Sequence, residues 1–462
     1  MTSVLPTTLG ELRTAAAHPP RPVKAELRDN LLDALREKRD PWPGIVGFDR
    51  TVLPQLERAI LAGHDLVLLG ERGQGKTRLL RTLVGLLDEW TPVIAGSELN
   101  EHPMQPITPE SKRRVGELGD DLPVAWKHRT ERFAEKLATP DTSVGDLVGD
   151  VDPVKVAQGR SLGDPETIHY GLLPRSHRGI IAINELPDLA ERIQVSLLNV
   201  MEERDIQIRG YTLRLPLDVL LVATANPEDY TNRGRIITPL KDRFGAEIRT
   251  HYPLEVAAEI ELVRQEAELV AEVGDHLLEV IARFVRHLRE SSSIDQRSGV
   301  SARFAVAAAE TVAASALRRS ALIGENPPVA RPVDLDSVPE VLRGKLEFEA
   351  GEEGREQEVL THLLRRAVAD TARSAFAGLN LRPLAELVSD GHPVATGELV
   401  HAGDILAALP ELPVLHEVAQ RVGAGPKDPA GTIASAVELA LESLYLTRRL
   451  SKDTEDDRTI YG

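Results

Sequence analysis

Three short runs of apolar residues, each bounded by polar positions, mark the interior of this chain. They are Leu66-Val67-Leu68-Leu69, Ile180-Ile181-Ala182-Ile183 and Val219-Leu220-Leu221-Val222-Ala223. Apolar runs of four or five residues fit strands covered on both faces better than helices. A further short strand is expected at 92–95. Apolar positions recur at helical spacing over 25–39, 52–61, 78–87 and 190–203, and 206–215 alternates as a hairpin turning at Gly210. From 255 onward the pattern is helical throughout, over 255–273, 275–290, 302–322, 358–376, 405–422 and 433–450. The acidic stretch 325–357 carries Pro327, Pro328, Pro332 and Pro339 and reads as a linker. The charged end beyond 450 is expected to be disordered. Strands alternating with helices, then helices alone, predict an α/β domain followed by helical regions.

The first apolar run leads directly into Gly70-Glu71-Arg72-Gly73-Gln74-Gly75-Lys76-Thr77, with Arg78 opening the helical pattern behind it. This is a complete Gly-x-x-x-x-Gly-Lys-Ser/Thr phosphate loop between a strand and a helix. Gly70, Gly73 and Gly75 let the backbone turn tightly enough to aim several N–H groups at one anion. Lys76 then reaches the β- and γ-phosphates, and the Thr77 hydroxyl is a ligand for Mg²⁺. The expected ligands are ATP and Mg²⁺. Ahead of the loop, Ile45-Val46-Gly47 reads either as packing for the adenine or as a plain apolar turn.

Composition narrows the classes. The chain has 462 residues, room for two to four domains, with 42% hydrophobic and 27% charged residues, as in ordinary globular proteins. It has no cysteine, which excludes disulfides, zinc–thiolate sites and thiol catalysis. A formal charge of −17 disfavours nonspecific binding to nucleic acid or to anionic membrane. No signal-peptide pattern and no membrane-spanning apolar run is visible, so a cytoplasmic location is expected. Within 97–140 the clusters Lys112-Arg113-Arg114, Asp120-Asp121 and 127–133 read as a solvated helical face, with a partner surface as the alternative.

In phosphate-loop ATPases an apolar strand ends in two carboxylates, an Asp that orients the metal's water shell and a Glu that polarises the attacking water. Here the run 180–183 ends in Asn184-Glu185. An amide oxygen still accepts a hydrogen bond from metal-bound water, but without negative charge, so weaker Mg²⁺ affinity is expected. The run 219–223 ends in Thr224-Ala225-Asn226, and Asn226 is a candidate to hold the attacking water.

The run 179–185, the Thr224-Ala225-Asn226-Pro227-Glu228 box and Leu240-Lys241-Asp242-Arg243-Phe244-Gly245 resemble the AAA+ ATPases of the magnesium chelatase ATPase subunit and MoxR group. Gly171-Leu172-Leu173-Pro174-Arg175-Ser176-His177-Arg178-Gly179 resembles the signature ahead of the chelatase subunit's carboxylate strand. The resemblance covers roughly 40–320. It implies an AAA+ phosphate-loop domain, a parallel sheet flanked by helices, with a helical lid and here an additional helical C-terminal region. The expected divisions are an N-terminal helical extension at 1–40, the nucleotide domain at 41–250 with an insertion at 97–140, the lid at 251–322, a linker at 323–357 and the C-terminal region at 358–462. The resemblance also implies a homo-oligomeric ring, a hexamer by the group's habit. In that ring Arg243 is the arginine finger given to a neighbour's ATP. Arg303 is the lid arginine, with Arg297 competing for that role. Segments near 150–176 and 206–215 correspond to the group's two insertions. The implied work is remodelling a partner protein, for metal or cofactor insertion, together with a separate protein that carries a von Willebrand A domain. Two other readings stay open: a sigma-54-type activator, although the loop Gly-Ala-Phe-Thr-Gly-Ala is absent, and a nucleotide-gated scaffold that scarcely hydrolyses ATP, suggested by Asn184.

Overall fold

The computed structural model describes residues 5–16, 18–152, 154, 157–158, 167–203, 206–208, 211–213, 215–227, 234–295, 299–410, 412–455 and 458–462. They form two units, Met1–His251 and Tyr252–Gly462.

The first unit is built on a parallel sheet of five strands: β1 (Leu66–Leu69), β2 (Phe133–Leu137), β3 (Gly179–Asn184), β4 (Val219–Ala225) and β5 (Ala246–Arg249). Their spatial order is β5-β1-β4-β3-β2, every neighbouring pair parallel. The three apolar runs of the sequence are the three interior strands, which explains their unbroken hydrophobicity. Alternate side chains face opposite layers. Leu66, Leu68, Ile180, Ala182, Leu220 and Val222 pack with the helices Val23–Arg36, Val52–Leu61 and Lys76–Thr82. Val67, Leu69, Ile181, Ile183, Leu221 and Ala223 pack with Glu191–Glu203 and Thr238–Arg243.

The stretch 97–140 departs from expectation. It does contain a helix, Pro109–Leu118, but β2 within it closes one edge of the central sheet. The strand expected at 92–95 runs Trp90–Ile94 and pairs antiparallel with Val124–His128, outside the five-stranded sheet. Nor is the charge here all solvated. Arg132 is 1% exposed, its guanidinium forked on Glu26 at 2.7 Å for both bonds, and it also donates to the Arg178 carbonyl at 2.8 Å through Nε. An edge strand tolerates charge on its open side, and a buried ion pair leaves no trace in a one-dimensional pattern, so both features read as surface.

In the second unit the helices Asp275–Glu290, Ala302–Ile323, Glu356–Ala375 and Ala430–Leu446 share one core, through residues such as Leu277, Phe284, Ala308, Leu360, Leu364 and Leu441. The predicted linker is part of that core. Its short helical segments Pro332–Asp336 and Ser337–Leu342 bury Leu335, Val338 and Leu342. The wholly buried Arg319 holds it through Glu325 at 2.5 Å and Asp334 at 3.1 Å. Pro332 stands in the first turn of its helical segment, where a proline starts structure rather than breaking it. The described residues of the charged end form strands. Lys452–Glu455 and Arg458–Tyr461 form a hairpin that pairs with Val394–Gly397, and the buried Tyr461 hydroxyl donates to Glu442 at 2.5 Å. The helix expected at 255–273 stops at Glu266, and that expected at 405–422 is two, Ala402–Ala407 and Pro413–Arg421.

Candidate nucleotide-binding site

The loop 70–75 leaves the carboxyl end of β1, between the ends of β5 and β4, where ligands bind in open parallel sheets. Both neighbours hold it. The Gly70 N–H donates to the Ala225 carbonyl of β4 at 3.1 Å, and the Thr250 N–H beyond β5 donates to Leu69 at 2.7 Å. The Thr250 hydroxyl donates to Gln74 Oε1 at 2.8 Å, and that same amide oxygen accepts from the Glu71 N–H at 3.1 Å. A Cβ on Gly70 would collide with both the Thr250 hydroxyl and Gln74 Oε1, so only glycine fits. Gly75 is different. A Cβ there would meet nothing within 4 Å, but its φ of +76° is the left-handed conformation that turns the chain into the helix Lys76–Thr82.

Lys76 is 7% exposed, and its ammonium lies back across the loop, donating to the Gly70 carbonyl and, at 2.8 Å, to the Glu71 carbonyl. A polyphosphate on the loop offers that cation stronger acceptors than two neutral carbonyls. Thr77 is half-buried one residue on, while Arg72 and Arg78 are exposed. Arg78 lies close to the left-handed Gly44, whose Cβ would stand 2.9 Å from the guanidinium. Next to it Ile45 and Val46 are half-buried, flanked by the buried Trp42 and Phe48.

The ends of β3 and β4 meet beside the loop. Thr224 is 1% exposed, and its hydroxyl does two things. It accepts the Glu185 N–H at 3.0 Å and donates to Asn184 Oδ1 at 3.3 Å. Glu185 itself has φ +56°, a conformation seldom adopted outside glycine, and is half-buried. Asn226 is 5% exposed at the end of β4. Asn184 is hydrogen-bonded through both ends of its amide. One lone pair of its amide oxygen is taken by Thr224, and its amide nitrogen donates to Glu135 Oε1 at 2.6 Å. Glu135, on β2, also accepts from Arg81 Nε at 2.9 Å, and this hydrogen bond raises the guanidinium's pKa above its usual value.

Sequence reasoning therefore overlooks Glu135, Thr250 and the linking role of Thr224. No signal marks Glu135, because its partner strand and register are long-range facts. The remaining candidates lie elsewhere. Arg243 ends the helix Thr238–Arg243, half-exposed and paired with Glu202. Arg303 is exposed in the first turn of Ala302–Ile323 in the second unit. Arg297, Glu228 and the turn at Gly210 fall outside the described residues, although strands Ile206–Ile208 and Tyr211–Leu213 do pair. Among the described residues no cluster of three or more His, Asp or Glu forms a ready-made metal site. The donors are hard oxygens, the Thr77 hydroxyl at the loop and the Glu135 carboxylate against Asn184 at the end of β3, of the kind that fits Mg²⁺ shared with phosphates.

A family profile described as the sigma-54 interaction domain matches residues 159–243. Magnesium-chelatase subunit ChlI of Nostoc sp. is 28% identical over 234 residues, 49% of this chain and 59% of the relative. The same subunit from Synechocystis sp. is 30% identical over 219 residues, 46% of this chain and 57% of the relative. The chain thus spans less than two thirds of these relatives. A solved chain from the complex between subunits BchI and BchD of magnesium chelatase is 21% identical, with a TM-score of 0.37, covering 69% of this chain and 98% of that one. No helix among the described residues is long and apolar enough to cross a membrane.

Proposed function

From the premise that this chain is an AAA+ protein related to the magnesium-chelatase ATPase subunit, we propose that it is a Mg²⁺-dependent ATPase working as a ring-forming motor on a protein partner. The observation that carries the reading is the phosphate loop itself, held open between β4 and β5 with the buried Lys76 ammonium spanning it. In this reading the loop amides and Lys76 bind the β- and γ-phosphates, and the Thr77 hydroxyl ligates Mg²⁺. Mg²⁺ held there would offset the negative charge that develops on the phosphates. Glu185 accepts a hydrogen bond from the attacking water and draws off its proton, while Asn226 fixes that water's position. Water oxygen bonds to the γ-phosphorus as the bond to the β–γ bridging oxygen breaks, giving ADP and phosphate. Arg243 of a neighbouring subunit and Arg303 supply positive charge to the departing phosphates. The ring is a hexamer, the location is cytoplasmic, and the motor remodels a partner protein for metal or cofactor insertion, together with a separate protein that carries a von Willebrand A domain. The resemblance of the motifs to the chelatase and MoxR group supports these last points.

The match of 159–243 to the sigma-54 interaction domain supports a second reading, a transcriptional activator. The missing Gly-Ala-Phe-Thr-Gly-Ala loop weighs against it. Replacing Lys76 tests the first reading. Lys76→Ala should stay folded, lose ATP binding in titration calorimetry and lose turnover. A folded variant with unchanged affinity would overturn the assignment of the site.

A further inference from the structure

We propose that Glu135 supplies, from the neighbouring edge strand, the carboxylate that the nucleotide site lacks at Asn184, and that it accepts hydrogen bonds from the water shell of Mg²⁺ bound with the nucleotide. The inference rests on the nucleotide reading above and assigns its metal side.

Chemistry fixes the orientation of the Asn184 amide. An ionised carboxylate only accepts hydrogen bonds, so the group facing Glu135 at 2.6 Å is the amide nitrogen. The amide oxygen then faces Thr224, whose hydroxyl can donate to it because that hydroxyl already accepts from Glu185. Asn184 is thus a donor towards Glu135, and the negative charge next to the strand end is Glu135's.

Register puts these groups on one face of the sheet. Glu135 pairs with Ala182, two residues before Asn184, while Lys136 pairs with Ile183 on the opposite face. Ala182 and Val222 belong to the layer covered by the phosphate-loop helix, and Asn184 and Thr224 follow each by two residues on the same face. Arg81 of that helix meets Glu135 there. Thr77 stands in the first turn of the same helix.

The competing account is a surface ion pair between Glu135 and Arg81. Arg81 is forked on Glu135, Nε on Oε2 at 2.9 Å and Nη2 on Oε1 at 3.3 Å, but it is 65% exposed, so water competes with the pair and screens it. Nor does an ion pair with Arg81 call for a carboxylate against the end of β3.

The test is calorimetric titration of ATPγS with Mg²⁺ and with EDTA, reading the ratio of the two affinities, with tryptophan fluorescence to confirm folding. The wild-type protein should bind more tightly with Mg²⁺. Glu135→Gln keeps an acceptor for Asn184 but removes the charge, and should lower the ratio about tenfold. The double variant Glu135→Gln/Asn184→Asp moves the charge across the hydrogen bond and should restore the ratio, which a merely structural role for Glu135 does not predict. Arg81→Gln should leave it within about twofold. An unchanged ratio in Glu135→Gln, no recovery in the double variant, or an equal loss in Arg81→Gln overturns the proposal while the nucleotide reading stands. If wild-type protein does not bind ATPγS at all, the nucleotide reading itself fails. Should Glu135→Gln not fold, Glu135→Gln/Arg81→Gln removes the ion pair whole, and an unchanged ratio there overturns the proposal.

Discussion

Glu185 shows how one residue is held in a costly conformation. A non-glycine residue at φ +56° costs about 1–3 kcal/mol, and the surrounding contacts must impose it. Here the Thr224 hydroxyl takes its N–H, and the turn Leu186–Asp188 begins directly after it. The result is a carboxylate at the end of an interior strand, beside the loop. His177 shows the electrostatic side of burial. It is 4% exposed, its Nδ1 accepts the Asp218 N–H at 3.0 Å, and burial, with Arg178 adding to it, pushes its pKa down to about 3. The folded protein therefore keeps His177 neutral, whereas the unfolded chain protonates it near 6.5. The stability this gives is complete above about pH 6.5 and is lost as pH falls from there towards 3, by up to about tenfold in the folding equilibrium per pH unit. Urea unfolding followed by tryptophan fluorescence should show a lower midpoint at pH 5 than at pH 7. All three tryptophans, Trp42, Trp90 and Trp126, lie in the first unit with His177. His177→Asn, which keeps an acceptor but does not titrate, should show a smaller fall; an equal fall would mean that other groups carry the effect.

At the scale of elements, the phosphate loop depends on the strands beside β1 as much as on its own glycines. Thr250, beyond β5, ties Leu69 and Gln74 together, and the space a Cβ on Gly70 would need is already filled by its hydroxyl. Gly70→Ala should therefore destabilise the first unit by about 1–3 kcal/mol and weaken nucleotide binding, through overpacking rather than loss of a contact. Adding Thr250→Gly to Gly70→Ala removes one of the two colliding groups, frees Gln74 from its bond to Thr250, and should recover part of the nucleotide affinity. If the single variant melts and binds as wild type does, the close approach is not a constraint. The edge strand β2 belongs at this scale as well. Its charged residues are tolerated because one side of an edge strand stays open, and Glu135, on the sheet face it shares with Ala182 and Asn184, reaches the end of β3.

At the scale of the whole molecule, the proposed ring asks Arg243 to leave Glu202 for a neighbour's ATP. The pair is 46% and 42% exposed, and an exposed pair of this kind contributes about 0–1 kcal/mol, so giving it up costs little. Arg243→Ala should bind ATP yet hydrolyse it roughly 10³-fold more slowly where chemistry limits the rate. Mixing Arg243→Ala with Lys76→Ala subunits should form some interfaces with both halves of the site intact and raise activity above either variant alone. No recovery in rings shown to mix would mean that Arg243 does not act across subunits.

The sequence by itself determined the interior strands β1, β3 and β4, the phosphate loop and the polar residues that end β3 and β4, because each rests on local pattern: uninterrupted apolar runs, glycines at fixed offsets, a lysine and a threonine in register with them. What the tertiary structure decided depends on contacts distant in sequence. The identity of the edge strand β2, the buried pairing of Arg132 with Glu26, the joining of the linker and charged end to the second unit's core, and the place of Glu135 against Asn184 all require knowing which segments lie side by side. Charge is where the two part most clearly. A charged residue carries the same local signal whether it faces water or a partner, and only the fold supplies the partner.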